Sequence, residues 1–259
     1  MNIRPLHQSV RPHPVFLAVV ALAAAGGVLA WLAADEVTPL ARVGVFVLVI
    51  AGWLVSLCLH EFGHAYTAWR FGDHGVEARG YLTLNPLKYS HPMLSLGLPV
   101  LFIALGGIGF PGGAVYVQTS WMTPRQKSLV SLAGPAANLV LGAVLLTVTS
   151  VYGSQSHAVF WSGLAFLGFL QVTALLLNLI PVPGLDGYGA LEPHLSPDTQ
   201  RALEPVKQWG FFILLLLLFA PTLNRWFFGA VYWLCGLSGV SPMLMQVGGA
   251  LTRFWSAWL

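Results

Sequence analysis

The chain has 259 residues, of which 56% are hydrophobic and only 8% are charged, and its net charge is +3. Soluble domains carry about 25% charged residues, so this composition excludes an ordinary soluble protein and predicts a membrane protein. The small net charge gives no indication of nucleic-acid binding. The two cysteines, Cys58 and Cys235, lie in apolar runs and predict neither a disulfide framework nor a cysteine metal site.

Apolar segments of about 20 residues, long enough to cross a bilayer, recur along the chain. They predict an all-α polytopic membrane protein with about six membrane helices. The candidate segments are residues 15–33, 43–69, 93–110, 128–151, 158–180 and a last region from Phe211 onward. In that last region we expect a helix over residues 199–220, which Pro221 ends, and then a shorter packed helix.

The first segment has two interpretations. Arg4 and Arg11 precede an Ala-rich apolar run, which is also typical of a signal peptide. An uncleaved membrane helix is favoured because the rest of the chain is polytopic. Cleavage would leave the sidedness of the later helices unchanged.

Ionisable residues interrupt the second apolar segment in the stretch LCLHEFGH. His60 and His64 are four residues apart, so on a helix they share one face, one turn apart. Two neutral imidazoles at that spacing can bind one zinc ion, and Glu61 beside them can take a proton from a water that the metal activates. An ionisable residue in a membrane helix costs about 2.5–3.5 kcal/mol, which favours this interpretation over polar helix packing.

A catalytic zinc ion usually takes three protein ligands, so a third must come from elsewhere in the chain. Asp186 is the leading candidate, because it follows a long apolar helix within NLIPVPGLDG, where prolines interrupt the helix. Broken backbone at membrane depth is tolerated where it lines a cavity. From spacing alone, Asp186 could also be a solvated turn residue, and Glu77, Glu192 and His194 stay open as ligands.

The distribution of Lys and Arg predicts how the helices cross the membrane. Basic residues follow the second segment, so it should run from outside to inside and place His60 and His64 near the inner face. Asp186 reaches that depth only if residues 93–110 enter and return, or lie against the core. Residues 93–110 are therefore predicted to be a non-crossing apolar segment. The basic residues that then fall inside are Arg125, Lys127, Arg201 and Lys207.

Two short stretches with alternating polar and apolar residues, 79–86 and 113–118, predict a short membrane-associated β-hairpin. An exposed strand edge could hold an extended substrate by strand addition. The residues of that substrate strand would be Tyr81, Leu82, Thr83 and Leu84. An ordinary hairpin that only covers the site is the alternative.

Two asparagines lie in the later apolar segments. Asn138 lies in AGPAANL, and Asn178 lies eight residues before Asp186. An amide that faces the metal could donate to a developing oxyanion. Polar contacts that hold membrane helices together are the ordinary explanation for such asparagines.

Three motifs in order, HEFGH in one apolar helix, AGPAANL in a later helix and NLIPVPGLDG at the end of the next, resemble the site-2 protease family of intramembrane zinc metalloproteases. The resemblance covers roughly Val43 to Leu195. It implies a minimal member that lacks the PDZ or nucleotide-sensing domain of larger ones. The expected organisation is an N-terminal helix and outer loop over residues 1–42, a catalytic core over 43–195, and C-terminal membrane helices over 196–259.

Carried over residue by residue, the resemblance implies that His60, His64 and Asp186 bind one zinc ion per chain. Glu61 would be the general base, and Asn178 would help to hold the substrate or the oxyanion. The implied activity is hydrolysis of peptide bonds in transmembrane segments, in regulated intramembrane proteolysis. The implied partners are a transmembrane protein substrate and the lipid bilayer, and the implied location is the cell membrane, with the active site toward the cytosol.

Two other classes of protein could use similar residues. A membrane transporter or metal-handling protein also places His and Asp at broken helices. A catalytically inactive homologue could keep the fold without the reaction. The lack of an internal repeat in the sequence argues against a transporter, and Glu61 with a complete ligand set argues against an inactive homologue.

Overall fold

The computed structural model describes residues 10–89, 115–253 and 255, and in this part of the chain all regular secondary structure is helical. The α-helices are α1 (Pro14–Leu32), α2 (Pro39–Arg70), α3 (Gly75–Ala78), α4 (Pro124–Tyr152), α5 (Ala158–Leu179), α6 (Asp186–Leu191), α7 (Pro197–Lys207), α8 (Gly210–Phe219), α9 (Pro221–Gly236) and α10 (Pro242–Thr252). Single 3₁₀ turns occur at Tyr81–Thr83, Pro86–Lys88, Gln155–His157 and Glu192–His194.

Four of the described helices are long and apolar enough to cross a membrane, which confirms a polytopic membrane protein. They are Pro14–Leu32, Pro39–Arg70, Pro124–Tyr152 and Gln155–Leu179. The expected number of about six is wrong for the described residues. The helix predicted over 199–220 is divided into α7 and α8, and the ten residues of α8 extend only about 15 Å, against a hydrocarbon core of about 30 Å. The predicted non-crossing segment, residues 93–110, lies outside the described residues.

Side-chain caps fix where the two site-bearing helices begin. Thr38 Oγ1 accepts a hydrogen bond from the Ala41 N–H at the start of α2. Thr123 and Gln126 form a capping box at the start of α4. Pro39 and Pro124 occupy the first helical positions, where a missing N–H costs nothing. The registers of α2 and α4 are therefore set locally, well before the two helices meet.

α2 is the central helix of the bundle. It packs against α1, α4 and α5, and the apolar core between these helices includes Val45, Val49, Trp53 and Leu170. The C-terminal part of α2 lies beside the beginning of α4, since His64 of α2 reaches the Val130 carbonyl. α5 runs parallel to α2, since Gly163 near its start lies beside Val45 and Leu48, and Gln171 further along hydrogen-bonds Ser56. α5 ends at Leu179, and the chain turns before α6 begins.

The predicted β-hairpin is wrong for the described residues. Tyr81–Thr83 forms a 3₁₀ turn, and Leu84 has φ +57°, whereas a strand needs negative φ and extended backbone. Tyr81, Leu82 and Leu84 are all buried in one apolar cluster with Cys58 and other residues of α2. Burial of neighbouring residues on one side explains the error, because a strand would send Leu82 and Tyr81 to opposite faces.

The second half of the predicted hairpin also lacks a strand where it is described. Residues 115–118 adopt no regular secondary structure, and residues 113 and 114 lie outside the described part of the chain. Side-chain contacts fix this segment to the turn and the short helix α3 that follow α2. The Arg79 guanidinium donates to the Tyr116 carbonyl at 2.7 Å, and Asp73 Oδ2 accepts from the Gln118 N–H at 2.7 Å.

Candidate metal centre

Three potential ligands converge near the C-terminal end of α2. His60 Nε2 lies 3.3 Å from Asp186 Oδ2, and His64 Nε2 lies 3.3 Å from Asp186 Oδ1. The two Nε2 atoms are 3.1 Å apart. One ligand atom from each of these residues lies within 4.8 Å of the others, which is close enough for one metal ion. The structure therefore brings together His60, His64 and Asp186 as the sequence predicts.

A hydrogen bond holds the Nδ1 atom of each imidazole, which is the nitrogen that faces away from Asp186. His64 Nδ1 is 2.7 Å from the Val130 carbonyl oxygen. A carbonyl can only accept, so Nδ1 carries the proton and the neutral ring keeps its lone pair on Nε2. His60 Nδ1 is 2.5 Å from Asn138 Oδ1 in the same sense. Both rings thus present Nε2 to the site, in the way that metal-binding histidines are usually oriented.

The chemistry of this donor set fits a zinc ion. The lone pairs of the two Nε2 atoms and the carboxylate oxygens of Asp186 face one another at about 3 Å. These electron-rich atoms repel one another, and a cation between them would remove that repulsion. Asp186 Oδ2 is buried and makes no hydrogen bond within the described part of the chain, so its lone pairs can serve a metal. Two His nitrogens with one carboxylate oxygen is a known ligand set of catalytic zinc.

Gly134 of α4 forms the wall of this site. A Cβ atom placed on Gly134 would lie 2.2 Å from His64 Nε2 and 2.6 Å from His60 Nε2. Any larger side chain would therefore fill the space onto which both nitrogens open. Gly134 therefore has a position at the metal centre that only a residue without a side chain can take.

Glu61 lies beside the two histidines with only 3% of its surface exposed. Its Oε2 accepts a hydrogen bond from the Val115 backbone N–H at 3.0 Å. Its carboxylate also interacts electrostatically with His60, His64 and Asp186. A buried carboxylate that is oriented by a backbone donor and adjoins the metal ligands suits a general base.

Asp186 reaches the histidines because the chain turns sharply after α5. Gly184 has φ +96°, a left-handed conformation that favours glycine. A Cβ on Gly187 would lie 2.2 Å from the Leu179 carbonyl oxygen, so only glycine lets α6 fold back on the end of α5. Ser128 Oγ donates to the Ala190 carbonyl at 2.6 Å and holds α6 against α4.

The other acidic and histidine candidates have different partners. Glu192 pairs with Lys207 at 2.7 Å, and hydrogen bonds from Lys207 to Glu192 and Glu204 raise the pKa of Lys207 above its usual value. His194 Nε2 is 2.9 Å from Ser128 Oγ. Glu77 accepts a hydrogen bond from the Trp69 indole. None of these three residues belongs to the ligand cluster found in the described part of the chain.

The predicted substrate-contacting residues lie in different places. Asn138 contacts His60 from behind, and its Nδ2 donates to Gln171 Oε1 at 2.9 Å. Asn178 is buried near the end of α5, eight residues before Asp186.

In the predicted substrate strand, the Thr83 carbonyl already accepts a hydrogen bond from the His13 N–H. Gln171 was not among the predicted site residues, although a single amide in the apolar run FLGFLQVTALLL was a visible signal.

A buried His/His/Asp centre with an adjacent glutamate, set in a bundle of membrane-crossing helices, defines a membrane-embedded metallopeptidase. Residues 48–158 match the model of Peptidase family M50. The chain is 76% identical over 258 residues to Rip2 of Mycolicibacterium smegmatis, a predicted zinc metalloprotease, with 100% of both chains covered. It is 66% identical over 251 residues to Rip2 of Mycobacterium tuberculosis, with 97% of both chains covered.

A more distant relative is YwhC of Bacillus subtilis, also a predicted zinc metalloprotease, at 34% identity over 176 residues, covering 65% of this chain and 78% of YwhC. The chain therefore belongs to peptidase family M50, and the resemblance to site-2 proteases is confirmed. No solved structure gives a significant match. The family match ends at residue 158, so the structure, and not that match, places Asp186 at the histidines.

Proposed function

We propose that this chain is an intramembrane zinc endopeptidase, which hydrolyses peptide bonds within transmembrane segments of other membrane proteins. The observation that carries the proposal is the convergence of His60, His64 and Asp186 near the C-terminal end of a helix long and apolar enough to cross a membrane. Membership of family M50 supports the reaction class, and the names of the relatives support zinc as the metal.

The residues divide the reaction between them. A zinc ion held by His60, His64 and Asp186 would supply Lewis acidity, which makes a water more acidic and a peptide carbonyl more electrophilic. Glu61 takes a proton from the attacking water and passes it to the amide nitrogen as the C–N bond breaks. The Val115 N–H on Oε2 holds the carboxylate of Glu61 in one orientation during that transfer. His60, His64 and Asp186 provide the ligands, and the bonds behind both histidines keep the rings fixed.

The location of the site supports a membrane segment as substrate. A transmembrane helix has all its backbone groups paired, so it must unwind locally before a peptide bond can enter the site. All the proposed site residues lie in α2, α4, α5 and α6, within the proposed catalytic core of residues 43–195. Asn178 is buried and lies eight residues before Asp186 in the sequence. Its amide is the proposed contact to the substrate or to the oxyanion.

The active site is proposed to lie toward the cytosol. Arg70 is the last residue of α2, and Arg79 and Lys88 follow it closely. Arg125 and Lys127 occupy the first turn of α4, which begins beside the end of α2. Loops rich in Lys and Arg are usually cytoplasmic, so these residues support an inward-facing metal centre.

Glu61→Gln tests the proposed mechanism. The amide keeps a similar shape but cannot serve as a base, so we expect full zinc content and a loss of cleavage by about 10²–10⁴-fold. The assay uses purified protein in liposomes with a panel of single-span peptides that carry Gly or Pro at mid-membrane, and mass spectrometry identifies the products. Equal cleavage by the variant and the wild type would refute Glu61 as the base.

A further inference from the structure

A line of buried polar side chains runs from the metal centre into the interior of the bundle. Its members come from three helices: Ser56 and His60 from α2, Asn138 from α4 and Gln171 from α5. All four are buried, and Gln171 has no exposed surface at all. Buried polar groups of this kind are costly unless each finds a partner, so the direction of every hydrogen bond in the line carries information.

The line begins at a backbone carbonyl, which fixes its direction. Ser56 Oγ is 2.7 Å from the Trp53 carbonyl oxygen. Because the carbonyl can only accept, the hydrogen between the two oxygens belongs to Ser56. Ser56 Oγ therefore has only lone pairs left for its next neighbour.

That constraint passes through two amides. The Gln171 side chain approaches Ser56 Oγ at 2.9 Å, and the atom that does so must bring a hydrogen, so it is Nε2. Gln171 Oε1 then faces Asn138 and can only accept. The Asn138 atom 2.9 Å away is therefore Nδ2, which turns Asn138 Oδ1 toward His60.

The constraint ends at the metal ligand. An oxygen that faces His60 Nδ1 requires the proton on Nδ1, which leaves the Nε2 lone pair of the neutral ring for the metal. The opposite orientation of the Asn138 amide would place an N–H₂ against Nδ1. The proton of His60 would then move to Nε2, and that nitrogen could not bind a cation.

We propose that Gln171 and Ser56 are positioning residues of the metal centre, which act through Asn138 to hold His60 in the tautomer that binds zinc. The Trp53 carbonyl thus sets the state of a ring one α2 turn beyond Ser56 by way of two other helices. This inference rests on the proposed role of His60 as a zinc ligand. It gives a function to two polar residues that lie away from the reacting atoms.

The test measures zinc affinity, by competition with a chromophoric chelator, in detergent-purified protein. Gln171→Met keeps the length of the side chain but removes the oxygen that orients Asn138. We expect zinc to bind about 10–100-fold more weakly, the usual effect of losing an outer-shell partner of a metal ligand. Ser56→Ala removes the first link, leaves the Gln171 amide free to turn over, and should weaken binding in the same direction by a smaller factor.

Two further variants separate positioning from simple loss of structure. In Gln171→Glu, the protonated carboxyl would donate to Ser56 Oγ and turn its carbonyl oxygen toward Asn138 Nδ2, so zinc affinity should recover relative to Gln171→Met. Thr173→Val removes a buried hydroxyl from the same helix, where Thr173 Oγ1 donates only to the Phe169 carbonyl in its own helix, and should leave zinc affinity unchanged. The visible spectrum of the Co²⁺-substituted protein, which reports on the ligands, should change in Gln171→Met and not in Thr173→Val.

Folding is checked by thermal unfolding of each variant, and Ser56→Ala serves as the test if Gln171→Met does not fold. Wild-type zinc affinity and an unchanged Co²⁺ spectrum in folded Gln171→Met and Ser56→Ala would overturn the inference alone. A wild-type protein that binds no zinc would overturn the proposed metal centre itself, and this inference with it.

Discussion

Gly134→Ala should abolish the metal centre without removing any ligand. The added methyl carbon would lie 2.2 Å from His64 Nε2 and 2.6 Å from His60 Nε2. Zn–N bonds are about 2.0–2.1 Å long, so the methyl carbon would lie close to the place of a metal bound to His64 and within 2.6 Å of the second nitrogen. An ordinary contact begins near 3.4 Å, so His64 Nε2 would have to withdraw by about 1.2 Å. Zinc sites tolerate deviations of only about 0.2 Å, which makes that displacement decisive.

The assay compares zinc content and thermal unfolding of purified wild type, Gly134→Ala and a matched control. Gly229→Ala is the control, because a Cβ on Gly229 meets no atom within 4 Å. We expect about one zinc ion per chain in the wild type and in Gly229→Ala, and little in Gly134→Ala. The overpacking should also destabilise Gly134→Ala by about 1–3 kcal/mol. Gly134→Ala with wild-type zinc affinity would refute the assignment of the two Nε2 atoms as ligands.

Two further variants test the third metal ligand and the role of the ion pairs around Lys207. Asp186→Ala removes the carboxylate that faces both histidines, so zinc should be lost more completely than in Gln171→Met. Full zinc content in Asp186→Ala would mean that the third ligand is Glu77, Glu192 or His194 instead. Lys207→Met breaks the ion pairs with Glu192 and Glu204; because these groups are partly exposed, we expect unfolding to become easier by less than about 1 kcal/mol, with zinc content unchanged. A loss of zinc in Lys207→Met would contradict a purely structural role for that residue.

The features of this protein that depend on local residue spacing could be predicted from the amino-acid sequence. At 3.6 residues per helical turn, a spacing of four places His60 and His64 on one face wherever the helix lies. Glu61 lies next to His60 in the sequence, so its place beside them needs no tertiary information. The apolar runs likewise predict the four crossing helices, because bilayer thickness sets the length of a span. The break at NLIPVPGLDG was also visible, since two prolines followed directly by a glycine rarely continue a helix.

Contacts between side chains on different helices could not be predicted from the sequence and are seen only in the folded protein. Local alternation favoured a strand at residues 81–84, but packing against α2 buries Tyr81 and Leu82 together and gives a 3₁₀ turn instead. The metal centre needs Asp186 to approach residues more than 120 positions earlier in the chain, and Gln171 to reach Asn138 and Ser56 on two other helices. These contacts arise from the relative rotation and depth of packed helices, which hydrophobic periodicity within one helix does not specify.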